Sequence, residues 1–332
     1  MTAWRSHCDA DAPRWYPGQF DRSSENRIDE CVGGCDIGTR DKPCRTDVQP
    51  HSPGALYSMI DVDTISRIVR RVAEDEILPR YRALGKDEVR QKSGPMDLVT
   101  AADIAAERAL AQHLLREFPD TLVVGEEAAT EDPSLLDVIS KETPVWLLDP
   151  IDGTLNFAHG RRGFGIIVAY LVAGKTIAGW IHDPLENVTV TAVKGGGAWC
   201  GVERMRVSDA APLSQMIGAA YGEFSGGVPA GDILMRSGQV GALRNAMCGA
   251  VDYIEIARQQ KQFFLSPRSL PWDHAAGVLI MTEAGGVARF LDGAEYDTAI
   301  PDRQILAATD EPSWRALQAL LLPAARGPRR DQ

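Results

Sequence analysis

Residues 146–157 read WLLDPIDGTLNF, and this stretch decides how the chain is interpreted. An apolar run leads directly into Asp149, and a second carboxylate, Asp152, follows three positions later. Proline, aspartate and glycine all favour turns, so the stretch can be a surface turn. It can equally be the end of a buried strand that delivers two carboxylates to a cation. The rest of the chain decides between these two interpretations.

Composition limits the classes of partner. The chain has 332 residues, enough for one large domain or two interleaved lobes. Its formal net charge of −11 at pH 7 repels nucleic acid and anionic membranes, so neither is an expected partner. The sequence contains no apolar run of about 18 residues and no apolar signal segment. We therefore predict a cytoplasmic protein without a membrane span.

The two ends of the chain differ from its middle. Residues 1–57 contain few aliphatic residues and cannot bury enough apolar surface to offset their ordering entropy, so they are predicted to be a disordered N-terminal extension. Residues 58–322 are predicted to fold as one domain, and 323–332 to form a C-terminal tail. The extension holds four of the six cysteines, and the spacing of Cys31 and Cys35 fits zinc poorly.

Hydrophobic spacing predicts both helices and strands. Ile65, Ile68, Val69 and Val72 recur at helical spacing, and a second helix is predicted to begin at Thr100. Further helices are predicted over 251–257 and from Asp273 to the glycines at 285–286. Strands are predicted over 122–124, 145–148, 165–172, 176–181 and 188–193. This mixture, with a hairpin at 174–175, predicts a layered α+β fold rather than a simple parallel sheet.

Acidic residues recur in four motifs, namely DLVTAAD (97–103), GEE (125–127), DPIDGT (149–154) and PWDHAAG (271–277). In two of these motifs the acid follows directly after a predicted buried strand. Where such strands end at the same edge of a sheet, their acidic side chains are expected to lie close together. Magnesium prefers oxygen ligands, which carboxylates supply, whereas zinc and copper favour nitrogen and sulfur ligands. The candidate ligands are Glu126, Asp149, Asp152 and Asp273.

Each acid also has a structural explanation. Asp103 lies three residues after Thr100 and can simply cap a helix. Glu127 can be a hydrogen-bonded neighbour of a site, and Asp273 can simply favour a helix N-terminus. If a helix begins at Gly153 and Thr154, its free N–H groups would form an anion site beside the aspartates.

Taken together, the four motifs resemble the signatures of the inositol monophosphatase family of Mg²⁺-dependent, lithium-sensitive phosphatases. This group also includes fructose-1,6-bisphosphatases and 3'(2'),5'-bisphosphate nucleotidases. The resemblance extends over about residues 61–321. It implies a layered αβαβα sugar-phosphatase fold, a homodimer, and two or three Mg²⁺ ions.

The resemblance also implies roles for single residues. The metal ligands would be the four carboxylates above and the main-chain carbonyl of Ile151. Asp103 and Thr154, with Glu126, would be catalytic and help a metal to activate the attacking water. The amides of Gly153 and Thr154 would hold phosphate. Two cations about 3.5–4 Å apart can stabilise the attacking and leaving oxygens of an in-line displacement.

The substrate side departs from the family pattern. The family's Gly-Ser/Thr-Ala run is replaced by Met247, Cys248 and Gly249, and Ser266 stands where an acid commonly contacts inositol hydroxyls. With Asp152, these four residues are the candidate substrate contacts. Recognition of a polyol depends on paired polar groups, so the phosphatase chemistry is better supported than inositol as substrate. Arg268 or Lys261 could meet a second anionic group, or each could be an ordinary surface charge.

Three hypotheses follow from the sequence. The leading one is a Mg²⁺-dependent phosphomonoesterase for a small phosphorylated polyol, with inositol 1-phosphate as the default. The second is a sugar or nucleotide bisphosphate phosphatase, or a histidinol phosphatase. The third is a regulatory binding protein that has lost catalysis, which the intact set of carboxylates argues against.

Overall fold

A computed structural model describes residues 60–94, 97–224 and 228–322. The predicted extension over 1–57 with its cysteines, and the predicted tail over 323–332, lie outside the described residues. Among the described helices, none combines the length and apolarity needed to cross a bilayer.

Two antiparallel strands, β1 (Val89–Gly94) and β2 (Asp97–Thr100), form a separate hairpin. The described residues also form a seven-stranded sheet whose strand order follows the chain. Its strands are β3 (Leu122–Gly125), β4 (Val145–Asp152), β5 (Gly165–Val172), β6 (Lys175–Asp183), β7 (Val188–Val193), β8 (Gly197–Cys200) and β9 (Glu203–Met205). Only the β3–β4 pair is parallel among these neighbours.

A second sheet follows in the C-terminal part of the chain. The remaining strands are β10 (Ile217–Ala220), β11 (Glu223–Phe224), β12 (Val228–Pro229), β13 (Ala242–Leu243), β14 (Phe263–Ser266), β15 (Val287–Phe290) and β16 (Ile305–Ala308). Five of them form a mixed sheet in the order β13-β10-β14-β16-β15, and β11 pairs with β12.

Eight α-helices connect and cover the sheets in the described part of the chain. They are α1 (Val62–Val72), α2 (Ala101–Glu117), α3 (Glu126–Glu131), α4 (Thr154–Ala158), α5 (Ala230–Arg236), α6 (Gly249–Ala257), α7 (Pro271–Glu283) and α8 (Glu311–Leu321). A π-helical turn continues α1 over Ala73–Ile77, and short 3₁₀ turns lie at Leu78–Arg80, Lys86–Glu88, Pro133–Val138 and Leu213–Gln215.

The alternation of β4 shows how the layers form. Trp146 and Leu148 pack on one face of the seven-stranded sheet against α1 and α2, whereas Val145 and Leu147 pack on the other face. Successive strand residues point to opposite faces, and here both faces are covered. Residues 145–148 of β4 are therefore all apolar rather than alternating in polarity.

Helices α6 and α7 fill the space between the two sheets. Ala276 and Ile280 of α7 share a core with Ile167 of the large sheet and with Ala307 of the small one. A Cβ at Gly179 would lie 2.8 Å from Ala276 Cα, so glycine permits this close approach of α7 to β6. Helices α5 and α8 cover the outer face of the small sheet. The αβαβα order is thereby complete, and the predicted layered α+β fold is confirmed.

The predicted elements are found with small shifts at their ends. Thr100 caps α2, as its spacing to Asp103 predicted. The predicted hairpin turns at Ala173 and Gly174, both of which have positive φ. The strand predicted to stop at Leu148 instead runs on to Asp152, so both acids of the opening stretch lie within β4.

Candidate active site

The register of β4 breaks where its carboxylates lie. Asp149 pairs with Ile167 and Asp152 with Gly165, so β4 carries one extra residue at this point. Pro150 has no N–H to donate to the ladder, and proline inside a sheet is found at such bulges. The bulge turns the end of an otherwise apolar strand into a place where polar groups converge. The surface-turn interpretation of this stretch is therefore wrong.

Strand β3 brings Glu126 to the same edge. It runs parallel to β4 with Gly125 opposite Leu148, so Glu126 and Asp149 follow at the same end of neighbouring strands. The side chain of Glu107 accepts hydrogen bonds from the amides of Glu127 (2.8 Å) and Ala128 (3.1 Å), which caps α3. A Cβ at residue 125 would overlap the Glu107 side chain, so glycine leaves room for this cap.

Three carboxylates form a close group at this edge. Oxygens of Glu126, Asp149 and Asp273 lie within 4.8 Å of one another. Burial, followed by the charge of Glu126, raises the pKa values of Asp149 and Asp273 well above the ordinary value. Three negative groups this close repel one another, and a divalent cation would neutralise them. Because every donor in the group is an oxygen, its chemistry fits Mg²⁺.

Asp152 lies beside this group and faces α6. Its Oδ2 accepts a hydrogen bond from the amide of Ala250 and lies 3.3 Å from the thiol of Cys248. Burial raises the pKa of Asp152 to about 6, although the Ala250 amide acts in the opposite direction. This carboxylate therefore connects the acidic edge of β4 to the N-terminus of α6.

Asp103 and Thr154 are in contact. The Thr154 hydroxyl lies 3.1 Å from Asp103 Oδ1 and 2.9 Å from the carbonyl oxygen of Ile151. Asp103 Oδ2 also accepts from the amide (2.8 Å) and the hydroxyl (2.5 Å) of Thr100. Burial raises the pKa of Asp103 to about 6. Capping α2 and holding Thr154 are thus compatible roles of one carboxylate.

Helix α4 begins beside these acids. Gly153 occupies its N-cap position with φ of 87°, and no side chain caps this end. A Cβ at residue 153 would lie 2.6 Å from the carbonyl oxygen of Gly163, so both the backbone angle and the space require glycine. The first amides of α4 are therefore presented close to Asp152 and Thr154.

Lys92 is a basic residue of the site that the sequence patterns did not indicate. Its ammonium group, on β1, lies 2.8 Å from Glu126 Oε1 and 2.7 Å from Glu127 Oε1. Burial alone would lower the pKa of Lys92, but the charges of Glu126 and Glu127 outweigh it and raise that pKa. Glu127 is a hydrogen-bonded neighbour of the site, the role that its position suggested. No spacing rule connects a hairpin lysine to acids more than thirty residues away.

The predicted substrate contacts lie in different surroundings. Cys248 is buried against Asp152, and a Cβ at Gly249 would lie 3.4 Å from Asp152 Oδ2. Met247 is 46% exposed and has φ of 57°. Ser266 ends β14, and its hydroxyl donates to the carbonyl of Arg268. Cys248 and Gly249 therefore adjoin the carboxylates, Met247 lies next to them along the chain, and the Ser266 hydroxyl bonds within its own loop.

Both suggestions made for Lys261 are wrong. Lys261 is fully buried and forms ion pairs with Asp252 and with Glu255 (2.7 Å), so it is neither a surface charge nor available to a substrate anion. Arg268 is an exposed side chain that pairs with Asp302 at 3.1 Å. Its charge lowers the pKa of Asp273 against the larger effect of burial, which places Arg268 within electrostatic reach of the acidic group.

Comparisons with known proteins agree with this arrangement. Residues 61–327 match the sequence profile of the inositol monophosphatase family. A fructose-1,6-bisphosphatase/inositol-1-monophosphatase of Thermotoga maritima is 35% identical over 63% of this chain and 77% of its own. An inositol-1-monophosphatase of Caulobacter vibrioides is 31% identical over 69% of this chain and 89% of its own.

A solved structure shows the same fold. The Thermotoga maritima IMPase superimposes with a TM-score of 0.68 at 27% identity, covering 78% of this chain and 95% of that one. The profile match spans most of the chain, including all four acidic motifs. The chain belongs to the inositol monophosphatase family and is a phosphatase that hydrolyses phosphoric monoesters.

Proposed function

We propose that this protein is a Mg²⁺-dependent phosphomonoesterase that hydrolyses a small phosphorylated polyol, with inositol 1-phosphate as the first candidate. The observation that carries the proposal is the group of Glu126, Asp149 and Asp273, with oxygens within 4.8 Å of one another. Asp149 is buried and the other two are partly buried, and such a group of like charges is unfavourable unless a cation or protonation neutralises it. The relatives named inositol monophosphatase support the substrate class.

The ligands proposed for Mg²⁺ are the three grouped carboxylates, Asp152 and the Ile151 carbonyl. Two or three ions would be held. Bound Mg²⁺ would supply positive charge that stabilises the phosphoryl oxygens and lowers the pKa of a water molecule.

The chain's own residues then orient the reaction. Asp103 accepts a hydrogen bond from the hydroxyl of Thr154 at 3.1 Å, which leaves an oxygen lone pair of Thr154 to accept a hydrogen bond from water. As the water gives its proton to Thr154, the hydroxyl proton of Thr154 passes to Asp103. We propose that this pair is the general base and that Glu126 assists it. The amides of Gly153 and Thr154 are proposed to bind the phosphate, because the start of α4 carries no side-chain cap.

The substrate contacts are proposed to be Asp152, Met247, Cys248, Gly249 and Ser266. Asp152 and Ser266 offer oxygen acceptors for sugar hydroxyls, whereas Met247 offers an apolar surface. In the family pattern an acid stands at the position of Ser266, so this site would make fewer charged contacts with a polyol than that pattern provides. We therefore expect weak discrimination among small polyol phosphates.

A second substrate has specific support. A relative 35% identical to this chain carries fructose-1,6-bisphosphatase in its name as well as inositol-1-monophosphatase. Arg268 is exposed and acts electrostatically on Asp273, so it could meet a second phosphate near the mouth of the site. Fructose 1,6-bisphosphate is therefore the alternative substrate.

The test is phosphate release from a panel of substrates with and without Mg²⁺. The panel contains inositol 1-phosphate, fructose 1,6-bisphosphate, adenosine 3',5'-bisphosphate and histidinol phosphate. We expect Mg²⁺-dependent release that is highest with inositol 1-phosphate. Release from none of them would refute the proposal, and a preference for the sugar bisphosphate would favour the alternative. Activity that persists in excess chelator would refute the role of the metal.

Assembly and location are parts of the same proposal. We propose a cytoplasmic homodimer that requires no nucleic acid or membrane partner. Sedimentation equilibrium of the purified chain measures the assembly, and a mass of one protomer across the micromolar range would refute the dimer. Cell fractionation measures the location.

A further inference from the structure

The backbone of Met247 is strained next to the substrate side of the site. Its φ of 57° lies in the left-handed region, which glycine adopts freely and a residue with a Cβ adopts at a cost. Such strain persists only where the surroundings enforce it, and it concentrates at functional sites. The structure shows what enforces it here.

The segment 246–248 is held by hydrogen bonds from two elements. The side-chain amide of Asn156 on α4 donates to the carbonyls of Gly163 (2.7 Å) and Ala246 (2.9 Å), and the Met247 carbonyl lies farther away at 3.4 Å. From the other side, the amide of Met247 donates to the hydroxyl of Tyr221 at 2.8 Å. Tyr221 directly follows β10 and packs on Phe264 with the ring centroids 5.8 Å apart.

A buried ion pair orients the Tyr221 hydroxyl. That hydroxyl donates to Asp252 Oδ2 at 2.7 Å, which leaves its oxygen free to accept from Met247. The other oxygen of Asp252 binds Lys261, and both side chains are fully buried. A buried pair of this kind is weak evidence for stability, because desolvation of the charges offsets their attraction. Its geometric consequence is a Tyr221 hydroxyl with one orientation.

We propose that Tyr221, oriented by Asp252 and Lys261, is a positioning residue for the substrate side of the active site. Its hydroxyl keeps Met247 in the left-handed conformation and thereby keeps Cys248 against Asp152. This inference rests on the proposed function, because that function assigns Met247 and Cys248 to substrate binding. Tyr221 acts through Met247 and touches neither the acidic group nor the reacting atoms.

Tyr221→Phe is the decisive variant, because it removes the hydroxyl and retains the ring packed on Phe264. We expect kcat/KM to fall about tenfold, mainly through KM, with little change in Tm. Met247→Gly provides a second background, in which its own kcat/KM is the reference value. With glycine at 247 the left-handed backbone costs nothing, so adding Tyr221→Phe should then lower kcat/KM by less than about twofold. An equal loss in both backgrounds would overturn the proposal.

A second readout does not depend on activity. The chain contains eight methionines, so methyl-¹³C methionine labelling yields few signals, and the Met247 methyl is assigned by its loss in Met247→Gly. This signal should move in Tyr221→Phe and stay in place in Tyr170→Phe, a control that removes another hydroxyl from a tyrosine packed on Trp146. If Met247 does not respond to Tyr221→Phe, the positioning role is wrong.

The two readouts separate the inference from the function on which it rests. A parent protein that releases no phosphate, together with a Met247 signal that responds to Tyr221→Phe, would refute the proposed function and retain the structural link. Asp252→Asn keeps the shape of the acceptor but removes its charge, and it should shift the Met247 signal in the same direction by a smaller amount. Loss of activity with a parallel collapse of Tm in Tyr221→Phe would show a merely structural role and overturn the proposal.

Discussion

Replacing Asp149 with Asn tests the electrostatic origin of the proposed metal site. Asp149 is 1% exposed, and its Oδ1 accepts a hydrogen bond from the amide of Ile151 at 3.1 Å. The asparagine oxygen can retain that bond, so the change removes a charge with little loss of packing. We expect Asp149→Asn to stabilise the metal-free protein and to abolish its response to Mg²⁺.

The magnitude follows from the spacing of the group. At an effective dielectric constant of about 20, two carboxylates about 5 Å apart repel by about 3 kcal/mol. Protonation limits this cost, because holding a carboxyl with an ordinary pKa of about 3.9 protonated at pH 7 costs about 4 kcal/mol. A domain of this size gains about 2–4 °C in Tm per kcal/mol, so the metal-free variant should melt at least about 6 °C higher.

The assay is thermal unfolding in chelator and in saturating Mg²⁺. The parent should gain about 2.7 kcal/mol at a Mg²⁺ concentration of about 100 times Kd, whereas Asp149→Asn should gain almost nothing and release no phosphate. Asp183→Asn is the matched control, since Asp183 is another carboxylate at a strand end that accepts amide hydrogen bonds in a turn. An Asp149→Asn variant that is destabilised without metal and still stabilised by Mg²⁺ would refute this reasoning.

Three further predictions concern the same site. Burial raises the pKa values of Asp103 and Asp152 to about 6, so the native metal-free protein binds more protons than the unfolded chain. Its Tm should therefore fall as pH rises from about 4 through 6, and saturating Mg²⁺ should flatten this slope. A Tm that rises with pH in chelator would contradict the prediction. Thr154→Val should lower kcat at least about 100-fold by removing the proposed proton acceptor, whereas Thr154→Ser should stay within about tenfold, and steady-state kinetics decide. Glu107→Gln should cost about 1–2 kcal/mol in urea unfolding and weaken Mg²⁺ binding, because the side-chain cap of α3 positions Glu126. Unchanged values would show that the cap is dispensable.

Several features of the fold were predictable because they depend on neighbours along the chain. The cap of α2 by Thr100 and Asp103 follows from a three-residue spacing, and the hairpin at Ala173 and Gly174 follows from turn preference. The apolar run before Asp149 indicated a buried strand. Such patterns also located the acids that the fold collects, since acids that end strands meet at the edge of a sheet.

Other features of the site depend on residues far apart in sequence. Lys92 meets Glu126 across 34 positions, Tyr221 meets Met247 across 26, and Asp152 meets Ala250 across 98. Hydrophobic periodicity does not reveal such pairs, because they form only when helices and sheets pack together. The same limit explains the wrong interpretation of Lys261. A charged residue is usually exposed unless it forms an ion pair with a buried partner, and the sequence pattern does not show that partner.

The sequence by itself determined which groups do the proposed chemistry, since the four acidic motifs and the glycine before α4 can be read without coordinates. It also determined the layered fold, through the alternation of apolar strands and amphipathic helices. Only the tertiary structure decided how these groups are held: by a lysine on a hairpin, by a capping glutamate on α2 and by a tyrosine that secures a strained methionine. The physical reason is the separation along the sequence over which each effect acts. Helix and strand propensities and hydrophobic periodicity act over a few residues, whereas charge pairing and burial depend on residues that packing brings together from distant parts of the chain.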